Sequence, residues 1–515
     1  MYDNGNLYVR VRGVDMQLEV WGLIRLFFDE NRIVFLNDDN LPEPSSESML
    51  VTLVLRESIS SQLAETCLFK DINDQEKLKH ALNGCISPDI RDQSDIPFRD
   101  AVMPGMSILK STKIICGTSL YRVLSKAFNK VLPYGSLIGV RPVKLTSRCL
   151  DEGLDESRSI TLLQKTTGMS EEKARLLVSV AGNERMFDNE EGRMVNLYVG
   201  IPFCAGRCLY CSFTSYPIDR LKNLVGPYLD ALVKELEFGR ELIDKHRLKI
   251  NAIYLGGGTP TALPEEGLMR LLISMRDCFS GANEFTVEAG RPDTISREKL
   301  LLIRESGATR ISINPQTMNS ETLRLIGRNH TPGDIVEKYN LARELCFDNI
   351  NMDIIAGLPG EDFEMFKNTL SRLETLSPDN LTVHTMAYKR ASRLVYERES
   401  YPAADDDTVE KMIEAARVSA KKMGMEPYYL YRQKNILANL ENTGYAKQGK
   451  ACRYNIQTMT EKQSIIAFGA GAISKFVDPE RHLIKRDDNV KDVAQYIARI
   501  EEMIARKIKL FDELR

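Results

Sequence analysis

The sequence lacks any long hydrophobic run. Crossing a bilayer takes ~18 or more consecutive apolar residues, and the longest stretch here, SIIAFGAGAI at 464–473, is short and contains glycine, so it reads as core. The opening MYDNGNLYVRVRGVDM interleaves charges with apolar residues and has neither the basic start nor the apolar centre of a signal peptide. A cytoplasmic protein with no membrane insertion is therefore expected. An excess of one charge is lacking too: 69 basic against 72 acidic residues leave a net charge of −3. That gives no bulk footprint for nucleic acid or an anionic membrane, and no nucleic-acid partner is expected. Nor is there an internal repeat of about 20–50 residues beyond a βα alternation. What remains is a long globular chain of 515 residues, 43% hydrophobic and 27% charged, enough for several domains.

Three regions separate on pattern. Residues 1–190 mix short strands and helices as an α+β domain. NLYVRVRG alternates like a half-buried strand, MQLEVWGLIRLFF has helical spacing, LPEPSSES is a loop, and SMLVTLVLRES is another strand. KIICGTSLYRVLSKAF is expected to run from a strand into a helix, and 157–187 to be helical. Pattern alone assigns this region no function.

Residues 191–395 alternate β-rich runs (NLYVGIPF, AIYLGGG, EFTVEAG, RISINPQ, NINMDIIAG, LTVHTM) with helical stretches. Six such βα units imply an α/β fold with right-handed crossovers, a parallel sheet and a partial (β/α)6 barrel. In that architecture chemistry sits on loops leaving the C-terminal ends of the strands. Residues 396–515 turn mainly helical, as in DDTVEKMIEAARVSAKKMG and VKDVAQYIARIEEMIARKI.

The ten cysteines are unevenly spread. Seven stand singly, whereas Cys204, Cys208 and Cys211 fall within eight residues, spaced C-x3-C-x2-C just after the first barrel strand. Thiolates are the ligands that iron–sulfur clusters require, and a loop of this length can wrap three of them onto three corners of a cube. The fourth iron is then open to a ligand's amino and carboxylate groups. A structural zinc would need a fourth ligand, and His246 and Cys452 are remote in sequence. A redox disulfide between Cys208 and Cys211 would leave Cys204 unexplained.

This spacing, with aromatic Tyr210 before the last cysteine, resembles the signature of the radical S-adenosylmethionine (SAM) superfamily. The resemblance implies one [4Fe–4S] cluster on the three cysteines with SAM on the fourth iron. In that superfamily SAM is cleaved to a radical that takes hydrogen from a substrate. The strip Gly256, Gly257, Gly258 and Thr259 ends the second strand and would receive the methionyl amino group of SAM. Glu288, Gln316, Arg328 and Asp353 stand near the ends of apolar strands. Burying such groups without partners costs ~1–3 kcal/mol each, so they either bond one another or hold the polar groups of SAM.

The stretch from Tyr198 to Ala387 further resembles the oxygen-independent coproporphyrinogen III oxidase family, through YVGIPFC, GGGTPT, TVEAGRP, SINPQTMN, IGRNHT, NMDIIAGLPG and HTMAYK. PYGSLIGVRPVKL and PYYLYRQKNILANLENTGY are similar to its HemZ branch. The family binds two SAM molecules. By motif position Tyr198, Gly257 and Glu288 would serve the first, and Tyr210, Thr259, Gln316, Arg328, Asp353 and Ala387 the second or the space between. Tyr198, Gln316, Arg328 and Asp353 are the catalytic candidates. The implied reaction is oxidative decarboxylation of two propionates of coproporphyrinogen III to vinyl groups, fed by a low-potential flavodoxin or ferredoxin.

Two positions depart from the family pattern. Gly200 stands where many relatives carry His, and Ser212-Phe213 follow Cys211 where coproporphyrinogen oxidases place a further cysteine. The C-x-F ending is shared with heme chaperones, which leaves heme binding, or another reaction on a tetrapyrrole, open beside the oxidase reading. A substrate with four carboxylates needs basic residues; Lys389, Arg390, Arg393, Arg432 and Lys434 are the candidates.

Overall fold

A computed structural model describes residues 5–37, 41–44, 48–57, 61–97, 106–187, 194–478 and 483–512. Part of the LPEPSSES loop, the last residue of SMLVTLVLRES and the domain boundary expected at 190 lie outside the described residues. The chain divides into two compact units, Met1–Ala181 and Gly182–Arg515.

In the first unit, strands β1 (Leu7–Arg12), β2 (Ile33–Phe35), β3 (Ser48–Glu57), β4 (Ser61–Ile72) and β5 (Ile90–Pro97) form one sheet in the order β2-β1-β3-β4-β5. β1 runs parallel to β2 and β3, and the remaining pairs are antiparallel. The expected strand within KIICGTSLYRVLSKAF is instead part of one helix, Ile108–Phe128, capped by the Ser107 hydroxyl. The reason is periodicity: Cys116, Leu120 and Leu124 recur every fourth residue and bury together against Leu7, Val9 and Leu53. Ile114 and Ile115 favour strands in isolation, and this packing overrides them.

The second unit is built on an eleven-stranded sheet. Six strands match the six expected runs: β6 (Met194–Ile201), then, past two short strands β7 (Phe203–Cys204) and β8 (Tyr216–Pro217), β9 (Lys249–Gly257), β10 (Glu284–Glu288), β11 (Arg310–Ser312), β12 (Ile350–Ala356) and β13 (Asn380–Thr385). They are parallel neighbours in chain order. Each has two faces, as a period of two requires. On β6 the residues Val195, Leu197, Val199 and Ile201 pack with Tyr228, Leu232 and Leu236 of the helix Lys222–His246. The alternate residue Tyr198 looks the other way, into a cavity.

Residues after 400 still hold more helix than strand, but they do not form the separate domain expected from 396. At one edge β15 (Asn442–Ala446) adds antiparallel to β13, and β14 (Glu426–Tyr431) adds antiparallel to β15. At the other edge β16 (Ser464–Phe468), part of the short apolar run read as core, lies parallel to β6 and is extended by β17 (Ile473–Asp478) and β18 (Leu483–Asp488). Sheet pairing therefore merges 396–515 into the barrel unit. Among the described residues no helix is long and apolar enough to cross a membrane.

Candidate functional site

The cysteine loop leaves β6 through β7, which pairs in parallel with β8 and closes the segment between them. Three contacts pin its crest. Leu209 N–H donates to Ile326 O, Leu394 N–H donates to Leu209 O, and the Arg207 guanidinium donates to Ala391 O. Cys204 Sγ lies 3.2 Å from Thr259 Oγ1 and Cys211 Sγ 3.9 Å from Ser215 Oγ. Burial pushes the Cys211 thiol up. Arg291, buried and clamped through Nε and Nη2 by both carboxylate oxygens of Asp293, directs Nη1 to Gly206 O at 3.0 Å and towards Cys208 Sγ at 3.6 Å. The sequence reading gave Arg291 no role; its signal was a charge placed just past an apolar strand.

Among the described residues no three Cys, His, Asp or Glu side chains converge on one point as a single-ion site requires. The three thiols stand instead in the wall of one cavity, as a cluster with a separate iron for each would ask. The remote zinc candidates are engaged elsewhere. Cys452 Sγ bonds the Glu284 carboxylate, and the His246 ring packs against Phe511.

The cavity, about 520 Å³, lies at the C-terminal ends of the barrel strands. Cys204, Cys208, Cys211, Tyr198 and Tyr210 line it, as do Gly257, Gly258, Thr259, Glu288, Gln316, Arg328, Asp353 and Ala387. Gly256 does not. A Cβ there would lie 2.8 Å from Glu288 Oε2 and 2.9 Å from Tyr254 Cε1, so this glycine makes room for those two side chains. Gly257, at φ +109°, and Gly258 bring β9 against the chain entering the cysteine loop: Gly258 N–H donates to Ile201 O and Thr259 N–H to Phe203 O. A Cβ on Gly258 would stand 2.4 Å from Phe203 O. Gly200, the departure on β6, faces the Tyr198 ring, 3.2 Å from where its Cβ would be.

The polar lining is ordered. Tyr198, Tyr254 and Tyr454 stack, with Tyr254 and Tyr454 centroids 4.6 Å apart. Tyr254 Oη donates to Glu288 Oε1 at 2.5 Å. Burial pushes the Glu288 carboxyl up to about 7; the Tyr254 hydroxyl and Gly257 amide pull it down, and the charge of Asp353 adds to the rise. Burial alone would raise Asp353 too. His384 beside it, with Asn351 and Thr382, outweighs burial and holds it below the usual carboxylate range.

Two groups in the lining lack a partner, a costly state for buried atoms. Gln316 sits at φ +66°, its backbone bonded to Asp353 O and Ile355 N, and its buried Oε1 has no hydrogen-bond partner. Arg328 spends Nη2 on Gly290 O and Asn314 O and Nη1 on Tyr210 Oη at 3.4 Å, yet its buried Nε is unpaired. An unpaired acceptor and an unpaired charged donor in one cavity fit a polar cofactor that carries both N–H or O–H donors and a carboxylate, as SAM does.

Glu288 yields a pH prediction. A carboxyl raised in the fold binds more protons folded than unfolded, so its contribution to stability is lost as pH rises from its ordinary value towards about 7. The SAM-free protein should melt at lower temperature at pH 8 than at pH 6, and Glu288→Gln should flatten that fall. Thermal unfolding across this range checks it. An identical slope in the variant would show that Glu288 is ionised throughout.

The sequence reading missed Tyr254, Asn351, His384 and Arg310, all in the cavity wall. The signal was the period of two. Tyr254 stands two before Gly256 and Asn351 two before Asp353, on the cavity face of strands whose other residues, such as Ile253 and Met352, are core.

Residues 198–373 match the family model of the Radical SAM superfamily. The chain is 41% identical over 387 residues to the oxygen-independent coproporphyrinogen-III oxidase-like protein HemZ of Bacillus subtilis, covering 74% of this chain and 77% of that protein. It is 30% identical over 282 residues to the heme chaperone HemW of Bacillus subtilis (54% and 70%). Against the oxygen-independent coproporphyrinogen III oxidase of Salmonella typhimurium it is 27% identical over 315 residues (60% and 66%). Among solved structures, coproporphyrinogen III oxidase (HemN) from Escherichia coli superposes with a TM-score of 0.48 at 24% identity, covering 62% of this chain and 72% of that one.

Proposed function

The chain belongs to the radical SAM superfamily, in the family of HemN-like and HemZ-like proteins, and from that premise we propose that it oxidatively decarboxylates two propionates of coproporphyrinogen III, giving protoporphyrinogen IX. Each propionate gives up a β-hydrogen atom to the SAM-derived radical, then carbon dioxide and one electron, the electron passing to a one-electron acceptor, and a vinyl group remains. The superfamily's [4Fe–4S] cluster and SAM, when bound, supply a carbon radical able to take an unactivated hydrogen. The observation that carries the reading is the single cavity in which three thiols, the unpaired Gln316 Oε1 and the unpaired Arg328 Nε meet.

In this reading Cys204, Cys208 and Cys211 hold the cluster, and Arg291 lies against the Cys208 sulfur. Glu288 and Tyr198, with the Gly257 amide, receive the first SAM, whose cationic groups favour the ionised Glu288. Gln316, Arg328 and Asp353, with Tyr210, Thr259 and Ala387, orient a second SAM or the substrate beside it. A low-potential flavodoxin or ferredoxin supplies the electron.

Ser212-Phe213 and the similarity to a heme chaperone favour a second reading, stable heme binding without porphyrinogen oxidation. One experiment separates them. Anaerobically reconstituted protein is given coproporphyrinogen III, SAM and a strong reductant, and the products are read by mass spectrometry. Loss of two carboxyl groups together with 5′-deoxyadenosine is the expected result. Intact porphyrinogen, with stoichiometric heme retained on the protein, would overturn the oxidase reading in favour of the chaperone.

A further inference from the structure

Five basic residues are candidates from sequence to receive substrate carboxylates, and the structure sorts them. Arg390 and Lys434 are exposed. Arg393 is mostly exposed and bonded to Glu397 through Nε and Nη2. Arg432 is buried, but it donates to the carbonyls of Asn439 and Leu440 and so ties its own loop together. Only Lys389 of the five lines the cavity.

The other cations of the cavity wall hold partners, Arg328 keeping only its Nε unpaired. Arg291 is clamped by Asp293, Arg328 serves two carbonyls and Tyr210, and Arg310 Nη1 holds Asn380 Oδ1 and Lys450 O. Among the described residues no carboxylate forms a salt bridge with Lys389. Its Nζ lies 5.7 Å from the centre of the Phe213 ring, and the Cys211 sulfur is the acidic group that acts on it. A half-buried ammonium without a carboxylate partner carries a desolvation cost that an incoming carboxylate would offset. The backbone presenting it is fixed. Ala387 bridges Ile436, Tyr388 N–H donates to Asn435 O, and Lys389 O accepts from both the amide and the hydroxyl of Ser392.

We propose that Lys389 is a specificity-determining residue whose ammonium receives one carboxylate of the tetrapyrrole substrate, at the end of the cavity beside Cys211 and Phe213. The inference rests on the tetrapyrrole reading above. A lysine suits a propionate on a rotatable arm, because a point charge accepts many approach angles where a guanidinium fork would fix one.

The test titrates coproporphyrin III, the stable oxidised tetracarboxylate, into the full-length, cluster-loaded protein and follows fluorescence. Its tetramethyl ester in the same co-solvent is the uncharged control. Lys389→Met is expected to weaken tetracarboxylate binding about tenfold or more, with Lys389→Arg retaining most of it. Ester binding, SAM affinity and iron content should stay at wild-type values. Undiminished acid binding by Lys389→Met would overturn the assignment. So would equal losses for acid and ester, which mark a packing effect, or a loss of SAM affinity with porphyrin binding unchanged, which would give the cation to SAM. Wild-type protein that binds neither porphyrin would instead overturn the tetrapyrrole reading, and the Lys389 assignment with it.

Discussion

Cys208→Ala protein is expected to purify without iron or acid-labile sulfide after anaerobic reconstitution, and Cys204→Ala and Cys211→Ala are expected to do the same. The loss should be near complete because each thiol is held separately: Cys204 by β7 beside Thr259, Cys208 beneath Arg291, Cys211 beside Ser215. None of the other seven cysteines lines the cavity, so no thiol stands ready to replace a lost one. Cys346→Ala, on an exposed turn, is the control and should keep wild-type iron. Iron and sulfide analysis with visible absorbance checks the set. A cluster retained in any one of the three variants would remove that cysteine from the ligand set, and retention in all three would end the radical SAM reading.

How much of this was legible beforehand differs between fold and site. The six barrel strands were readable because each joins an apolar run to a glycine or polar stop, with a helix-period stretch between. β14 and β15 were not, since PYYLY is short and opens on proline and NTGYA carries Asn, Thr and Gly that pass equally for loop. Only the pairing of β15 with β13, and of β14 with β15, makes them strands. Cys204, Cys208 and Cys211 announce themselves by spacing within a single loop. Arg291, Tyr254 and His384 act through partners on other segments: Gly206, Glu288 and Asp353, respectively. Local pattern cannot show such pairings until the barrel closes. Gly256 has a packing reason that its motif did not show, for the fold uses it to admit Glu288.

Lys507→Met is expected to be the most damaging single change outside the cavity. Lys507 and Glu235 side chains are 1% and 0% exposed, and Nζ lies 2.6 Å from Glu235 Oε1 and 2.7 Å from Asn489 Oδ1. Glu235 also accepts from Gly469 N–H, Asn489 Nδ2 and Tyr496 Oη. Removing the ammonium leaves a carboxylate buried among neutral donors, a loss of ~3–5 kcal/mol, which is a large share of the ~5–15 kcal/mol that stabilises an ordinary protein. The damage should reach the cysteines. Gly469 packs on Gly200 so closely that a Cβ would stand 2.4 Å from Gly200 O, and Tyr228 Oη donates to that same carbonyl four residues before Cys204. Lys507→Met should therefore unfold at markedly lower temperature and also hold less iron. Glu235→Gln/Lys507→Met, which removes both charges, should recover most of the loss, because an uncompensated charge is the main cost. Thermal unfolding and iron content of the two proteins decide the matter. A double variant no better than Lys507→Met would mean that the network stabilises by its hydrogen bonds and packing, with charge a minor part.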